Sequence, residues 1–220
     1  MSTIQVEAYT DKQSQPLIAM LFRQETKQRL TCFVLALLSL AIYPILNQSP
    51  DNTTSARILK FGIDNYTPFL SIFVIPYLLY LPFMLATLFV FTFLDKRWLA
   101  FTSSFVFCQL VAATVYIAFQ TTVPRPEILR SDMFSEAVRL IYAADRPYCC
   151  FPSLHVALSV VCGCYWYRRW PAVKYHILAL VAAISASTVF IKQHYSPDVI
   201  SGLGLGLTSY YIGMKYCWMK

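Results

Sequence analysis

The sequence predicts an all-α integral membrane protein, a six-helix bundle with its active site on the outer face. Two observations predict the bundle and a third places the site. Of 220 residues, 57% are hydrophobic and only 13% charged, about half the charged share of an ordinary soluble domain. Charge-free runs able to cross a ~30 Å hydrocarbon core recur along most of the chain. Finally, the polar residues that interrupt those runs gather in loops of one side. No long polar linker, low-complexity tract or repeat intervenes, so residues 30–220 read as one six-span domain and residues 1–29 as a cytoplasmic N-terminal segment.

Taken in order, the first span is Leu30–Leu46, an uncharged run of 17 residues, or ~26 Å of helix at ~1.5 Å per residue. Asn65–Leu94 is uncharged for 30 residues and holds Pro68, Pro76 and Pro82. It is predicted to begin as an interfacial stretch and continue as a kinked or tilted span. Trp98–Pro124 is the third. Ser153–Tyr167, Tyr175–Ile191 and Val199–Met214, shorter but similarly apolar, complete the six. Ahead of them, Leu17–Phe22 is too short for the apolar region of a secretory signal, so the N-terminal segment is expected to stay with the protein. Pro16–Lys27 alternates apolar and charged residues and suits either a short surface helix or a polar tail.

Charge sets the orientation. With six spans, one side carries 11 Lys and Arg against 4 acids and the other 7 against 7. The basic side is predicted to be cytoplasmic, with both termini inside. The net charge of +7 then records topology, and no interleaved basic-aromatic patch argues for nucleic acid. The seven cysteines form no CxxC pair and read as buried small hydrophobes rather than a metal or redox site. Cys149 and Cys150 lie near the outer face, where oxidation is expected to be possible. Asn47, Asn52 and Asn65 begin glycosylation sequons on the outer side, triplets that also arise by chance.

The outer loops, residues 47–66, 122–152 and 192–198, gather the chemistry. Two of the three histidines, His155 and His194, are there, with Arg125, Arg130, Arg139, Arg146, Lys192 and Asp198. In "FPSLH", Ser153 suits the N-cap of a helix whose free N–H groups would hold an anion. It suits equally a plain cap followed by an interfacial histidine. In "HYSPD", His194 and Asp198 are four apart at a helix start marked by Pro197. The carboxylate can then accept one imidazole N–H and leave the other nitrogen to attack. A histidine paired with a carboxylate is common on surfaces, but beside a membrane uncompensated charge is costly.

Together, Arg125-Pro126, "PSLH" at 152–155 and His194-x3-Asp198 resemble the three signature motifs of the type 2 phosphatidic acid phosphatase superfamily, over about residues 60 to 215. "FPSLH" is similar to the branch that includes inositol phosphorylceramide synthases. "STVFIKQHYSPDVISG" is similar to KQH-containing bacterial lipid phosphatases. The resemblance implies metal-independent hydrolysis of a lipid phosphomonoester or pyrophosphate. In it His194 forms a phosphohistidine, Asp198 orients it and His155 acts as acid and then base. Arg125, Ser153, Lys192 and Arg146 are expected to hold the phosphoryl oxygens.

The sequence departs from the family pattern in two cations, absent at Ala118 and Thr188, and in Leu154, where glycine is commoner. Lys192 and Arg146 are the candidate replacements. No cofactor is implied, and no carboxylate cluster suggests magnesium or zinc. The expected partners are a lipid phosphate and the bilayer, in a bacterial inner membrane. Neither the lipid nor the oligomeric state is specified. A phosphotransferase of the inositol phosphorylceramide synthase type is the alternative within enzymes, and a transporter or channel with an anion-attracting outer face is the alternative outside them.

Two further features bear on access and packing. Asp132–Ala144 places Phe134, Val138 and Ile141 on one stripe, as in a helix lying on the bilayer, serving as either a lid or a connector. Gly202, Gly204 and Gly206 form a small-residue surface suited to close packing within the bundle or to a dimer contact.

Overall fold

Where apolar runs continue the chain is helical, and where prolines and polar clusters interrupt them it turns. The structure, a computed structural model, describes residues 23–47 and 56–217. The expectations for residues 1–22, Asn52 and residues 218–220 lie outside it. Seven helices appear among the described residues. They are α1 (Arg23–Leu46, with a turn at Ala41), α2 (Val74–Phe93), α3 (Trp98–Ala118), α4 (Met133–Ala144), α5 (Leu154–Arg169), α6 (Lys174–Phe190) and α7 (Ser196–Cys217). No strand is present among these residues; two isolated backbone bridges pair Arg57 with Thr121 and Thr122 with Tyr148.

Four helices are long and apolar enough to cross a membrane: α1, α2 with the single turn before it, α3, and α6 with the turn before it. This is a membrane protein. Of the other two long helices, α5 is the interior one, and α7 is buried along one face and exposed along the other, with Ile200, Leu207 and Tyr211 outward. Most of α5 from Leu154 to Tyr165 is buried, and α7 packs most extensively on α5 and α3. The polar start of α7, Ser196-Pro197-Asp198, is accommodated locally, since Asp198 is buried and Ser196 is hydrogen-bonded to Asp64.

Glycine sets how closely α5 and α7 approach. A Cβ on Gly202 would lie 2.7 Å from the Ser153 carbonyl oxygen, and one on Gly206 only 2.5 Å from that of Ala157. Both distances are shorter than any real Cβ contact, so only glycine fits. A Cβ on Gly204 would meet nothing within 4 Å. The seam is therefore an i, i+4 pair, Gly202 and Gly206, facing α5.

Ahead of α2 the chain forms short 3-10 turns at Gly62–Asn65 and Ser71–Phe73, so the helix itself begins only at Val74. The stripe on α4 lies elsewhere than predicted: Val138 is fully buried against Val74, Tyr77 and Ile191, with Phe134 and Ile141 beside it. Apolar surface this size is more fully removed from water against the bundle end than on a lipid surface, so α4 docks on protein. Asp132 caps its start, accepting from the backbone N–H groups of Phe134 and Ser135. Arg139, on its outer side, donates to the carbonyls of Ile128 and Arg130 and so ties the preceding loop to the helix.

Candidate active site

Two histidines meet where α5 and α7 begin. His155 follows the Ser153 cap, whose Oγ accepts the Val156 N–H at 3.4 Å. His194 stands in the turn between α6 and α7. There the N–H groups of Gln193 and His194 both close on the Thr188 carbonyl, at 2.9 and 3.0 Å, after Lys192 takes a left-handed conformation with φ 57°. The start of α7 is fastened from afar. Buried Asp64 accepts Ser196 N–H at 2.9 Å and Ser196 Oγ–H at 2.6 Å on one oxygen, and the Phe61 N–H on the other. An anion on a helix N-terminus satisfies free N–H groups and the dipole together.

The two imidazole centroids are 5.8 Å apart, edge to face. His155 lies against the rings of Tyr77 and Tyr80, with centroids at 4.8 and 4.6 Å. Nδ1 of His194 is 3.4 Å from Oδ2 of Asp198. This is longer than a charge-assisted hydrogen bond of ~2.7–2.9 Å, and Nδ1 makes no hydrogen bond. Oδ2 meanwhile accepts the Tyr195 N–H at 2.9 Å. Asp198 thus addresses Nδ1, leaving Nε2 for chemistry, and the pair is poised to tighten when His194 gains charge.

Arg125 approaches through a residue that sequence reasoning passed over. Its guanidinium donates to the Tyr142 carbonyl at 2.9 Å and to Gln193 Oε1 at 2.7 Å, and lies over the Tyr142 ring. Its Nε and the Gln193 Nε2 are buried without partners. The Gln193 amide cannot be flipped, since that would turn its NH2 against the guanidinium. Two buried N–H donors without partners are thus left on the linked pair Arg125 and Gln193, the latter adjacent to His194 in the chain. The signal for Gln193 was its place between Lys192 and His194; being uncharged, it drew no notice.

The sequence matches the family model described as the PAP2 superfamily over residues 57–212. The chain belongs to the PAP2 superfamily. No curated protein and no solved structure matches it. PAP2 membership makes it a phosphatase-type membrane lipid enzyme in general terms.

Against the PAP2 pattern, the two candidate replacement cations fall differently from the histidines. Lys192 turns its Nζ onto the Thr67 carbonyl at 2.6 Å. Burial lowers its pKa, partly offset by Asp64. Arg146 is exposed, in the loop before Pro147. The structure therefore brings together His155, His194, Asp198 and Ser153, joins Arg125 to them through Gln193, and sets Lys192 on the Thr67 carbonyl. Cys149 and Cys150 are not open to oxidation as predicted. They are 1% and 3% exposed, and burial pushes both thiols up, Cys149 to about 12. A thiol held protonated and out of water is a poor nucleophile.

Two cavities of the PAP2 site meet at Tyr43 and His155. One, about 190 Å3, is apolar and lies between α1, α2 and α5, lined by Leu40, Leu81, Met84 and Leu158 among others. The other, about 290 Å3, has a polar wall of Asn47 and Asp145. Asp145 Oδ1 accepts from Tyr43 Oη–H at 2.8 Å and Asn47 Nδ2 at 2.6 Å. Burial raises the Asp145 pKa, against the opposing pull of Tyr43, Arg125 and His194. These residues lie outside the three motifs, and nothing in their local sequence sets them apart.

Proposed function

We propose that this protein is a metal-independent lipid phosphatase that hydrolyses a lipid phosphomonoester or pyrophosphate through a phosphohistidine on His194. The observation that carries this reading is the facing pair His155 and His194, with Asp198 at Nδ1 of the second and an apolar cavity opening beside the first. The first part of a lipid tail rests against that cavity in this reading, while its phosphate reaches the unpartnered donors of Arg125 and Gln193.

In the first step Nε2 of His194 attacks phosphorus. The N–P bond forms as the P–O bond to the lipid breaks, and His155 gives its proton to the departing oxygen. Asp198 stabilises the imidazolium of His194. In the second step water attacks the same phosphorus, His155 takes its proton, and the P–N bond breaks to release phosphate. Arg125, Gln193, Ser153 and the first N–H groups of α5 hold the phosphoryl oxygens as charge develops. Lys192 and Arg146 complete the set, Lys192 by exchanging the Thr67 carbonyl for a phosphoryl oxygen.

The bundle crosses the membrane six times in this reading, through α1, α2, α3, α5, α6 and α7. The site faces outward and both termini lie in the cytoplasm of a bacterial inner-membrane protein. The concentration of basic residues at the opposite end supports it. Release of inorganic phosphate from phosphatidic acid by the purified protein, with no other lipid present, tests the activity. A protein that only transports anions releases none.

A further inference from the structure

We infer that Asp64 is a positioning residue for the reacting histidine, acting through Ser196 as the anchor of a clamp that residues 64–70 place on the turn carrying His194. The inference rests on the phosphohistidine reading above, and Asp64 lies outside the three motifs.

The 3-10 turn Gly62–Asn65 is inside out. Asp64 is 4% exposed, whereas Phe61, Ile63 and Tyr66 are open, so the segment buries its acid and turns its apolar side chains outward. A buried carboxylate is costly unless donors compensate it. Three do so here. Oδ2 accepts the Phe61 N–H at 2.8 Å, which builds the carboxylate into its own turn. Oδ1 accepts both the N–H and the Oγ–H of Ser196, at 2.9 and 2.6 Å. Bonds to an ionised acceptor are about twice as strong as neutral ones.

Two more contacts follow along the same segment. Lys192 Nζ donates to the Thr67 carbonyl at 2.6 Å, and the Leu70 N–H donates to the Phe190 carbonyl at 3.0 Å. The pairs 64 with 196, 67 with 192 and 70 with 190 run in opposite chain directions, so the clamp spans the turn from the end of α6 to the start of α7.

Ser196 stands between His194 and Asp198, two residues from each. A shift of Ser196 therefore moves both members of that pair. Lys192 leaves Thr67 for a phosphoryl oxygen in the reading above, which makes the bond from Ser196 to Asp64 the side-chain contact that holds through turnover.

The test mixes the full-length protein in detergent with saturating 32P-labelled phosphatidic acid and follows label on His194 by rapid quench. The rate constant for its appearance does not depend on how much of a variant folds. Asp64→Ala is expected to lower that constant by on the order of 10²-fold, the cost of a displacement near 1 Å at reacting groups. Ser196→Ala, which keeps the N–H bond, is expected to lower it about fivefold, the worth of one hydrogen bond. In the Asp64→Ala background it is expected to change nothing further, because the hydroxyl acts only through the carboxylate. Lys60→Ala, which removes an exposed bond to Asn65 in the same loop, is expected to keep the wild-type constant.

A merely structural role for Asp64 would lower Tm and the amount of labelled protein with the rate constant unchanged, and that result overturns the inference. Losses that simply multiply in the double variant overturn it too. If Asp64→Ala yields no folded protein, Ser196→Ala decides, and an unchanged rate constant there overturns the clamp. In each of these cases label on wild-type His194 leaves the phosphohistidine reading standing. No label on the wild type overturns that reading and this inference with it.

Discussion

The backbone N–H of Ser153 donates to the backbone carbonyl of Asp198 across 3.0 Å, tying the start of α5 to the start of α7. His155 and His194 are brought into register by that tie and by the glycine seam beneath it. Adding a methyl group at Gly202 must move the Ser153 carbonyl, 2.7 Å away. A displacement near 1 Å at reacting groups costs on the order of 10²-fold in rate. Gly202→Ala is expected to lose activity on that scale with the protein still folded, whereas Gly204→Ala, facing open space, keeps wild-type turnover. Phosphate release at saturating lipid for the two variants is the check.

Asp198 acts through the imidazole it addresses. Asp198→Asn is expected to lower turnover by on the order of 10²–10⁴-fold, since the amide cannot stabilise an imidazolium. KM is expected to change little. A variant with normal kcat would mean that the carboxylate only fastens the Tyr195 N–H.

For the proposed phosphate site, the hydrogen bonds suggest an order of contributors that the sequence does not. Gln193, bound to Arg125 at 2.7 Å, is better placed than Lys192, whose Nζ is on Thr67. Arg125→Ala is expected to lose ~10²-fold or more in kcat, with Gln193→Leu losing more than Lys192→Ala. The reverse order would restore Lys192 as the main replacement for the missing cations. Arg139 holds the 128–130 loop, so Arg139→Ala is expected to lower Tm without a comparable loss in kcat.

At the far end of the bundle Asp95, 4% exposed at its side chain, pairs with Arg97 at 3.0 Å and Arg169 at 3.1 Å. Burial alone would raise its pKa; the hydrogen bonds from Arg97 and the charges of both arginines outweigh that and lower it below the ordinary 3.8. A lowered native pKa contributes stability above the unfolded value, lost as pH falls through the native one. Asp95→Asn is expected to cost about 2 kcal/mol at pH 7, discounted for the half-exposed Arg169, and less near pH 2. Thermal melts of both proteins in detergent at the two pH values test this. A constant difference would mean that the pair contributes by packing alone.

Much of the fold was legible because lipid leaves few choices. An uncharged run of seventeen or more residues has to satisfy its backbone internally, so the long runs became helices, although α1 starts before its uncharged run and α2 and α3 are shorter than theirs. The histidines and Asp198 were legible for the reason that polar groups near a membrane need a use. Gln193 and Asn47 were not, because an uncharged amide has no periodicity or charge to betray it. Its importance appears only when its partners, Arg125 and Asp145, arrive from elsewhere in the chain. The direction of the α4 stripe was equally hidden: apolar spacing tells which face is buried and not what covers it.

The account turns on a covalent bond between phosphorus and His194, and trapping it is the most direct test. Protein incubated briefly with 32P-labelled phosphatidic acid and quenched in alkali is expected to carry a label that is stable to base and labile to acid. Peptide mapping should place it on His194, and it should be missing from His194→Ala. Label on His155, or active protein with no trapped phosphate at millisecond quench times, would contradict the mechanism proposed here.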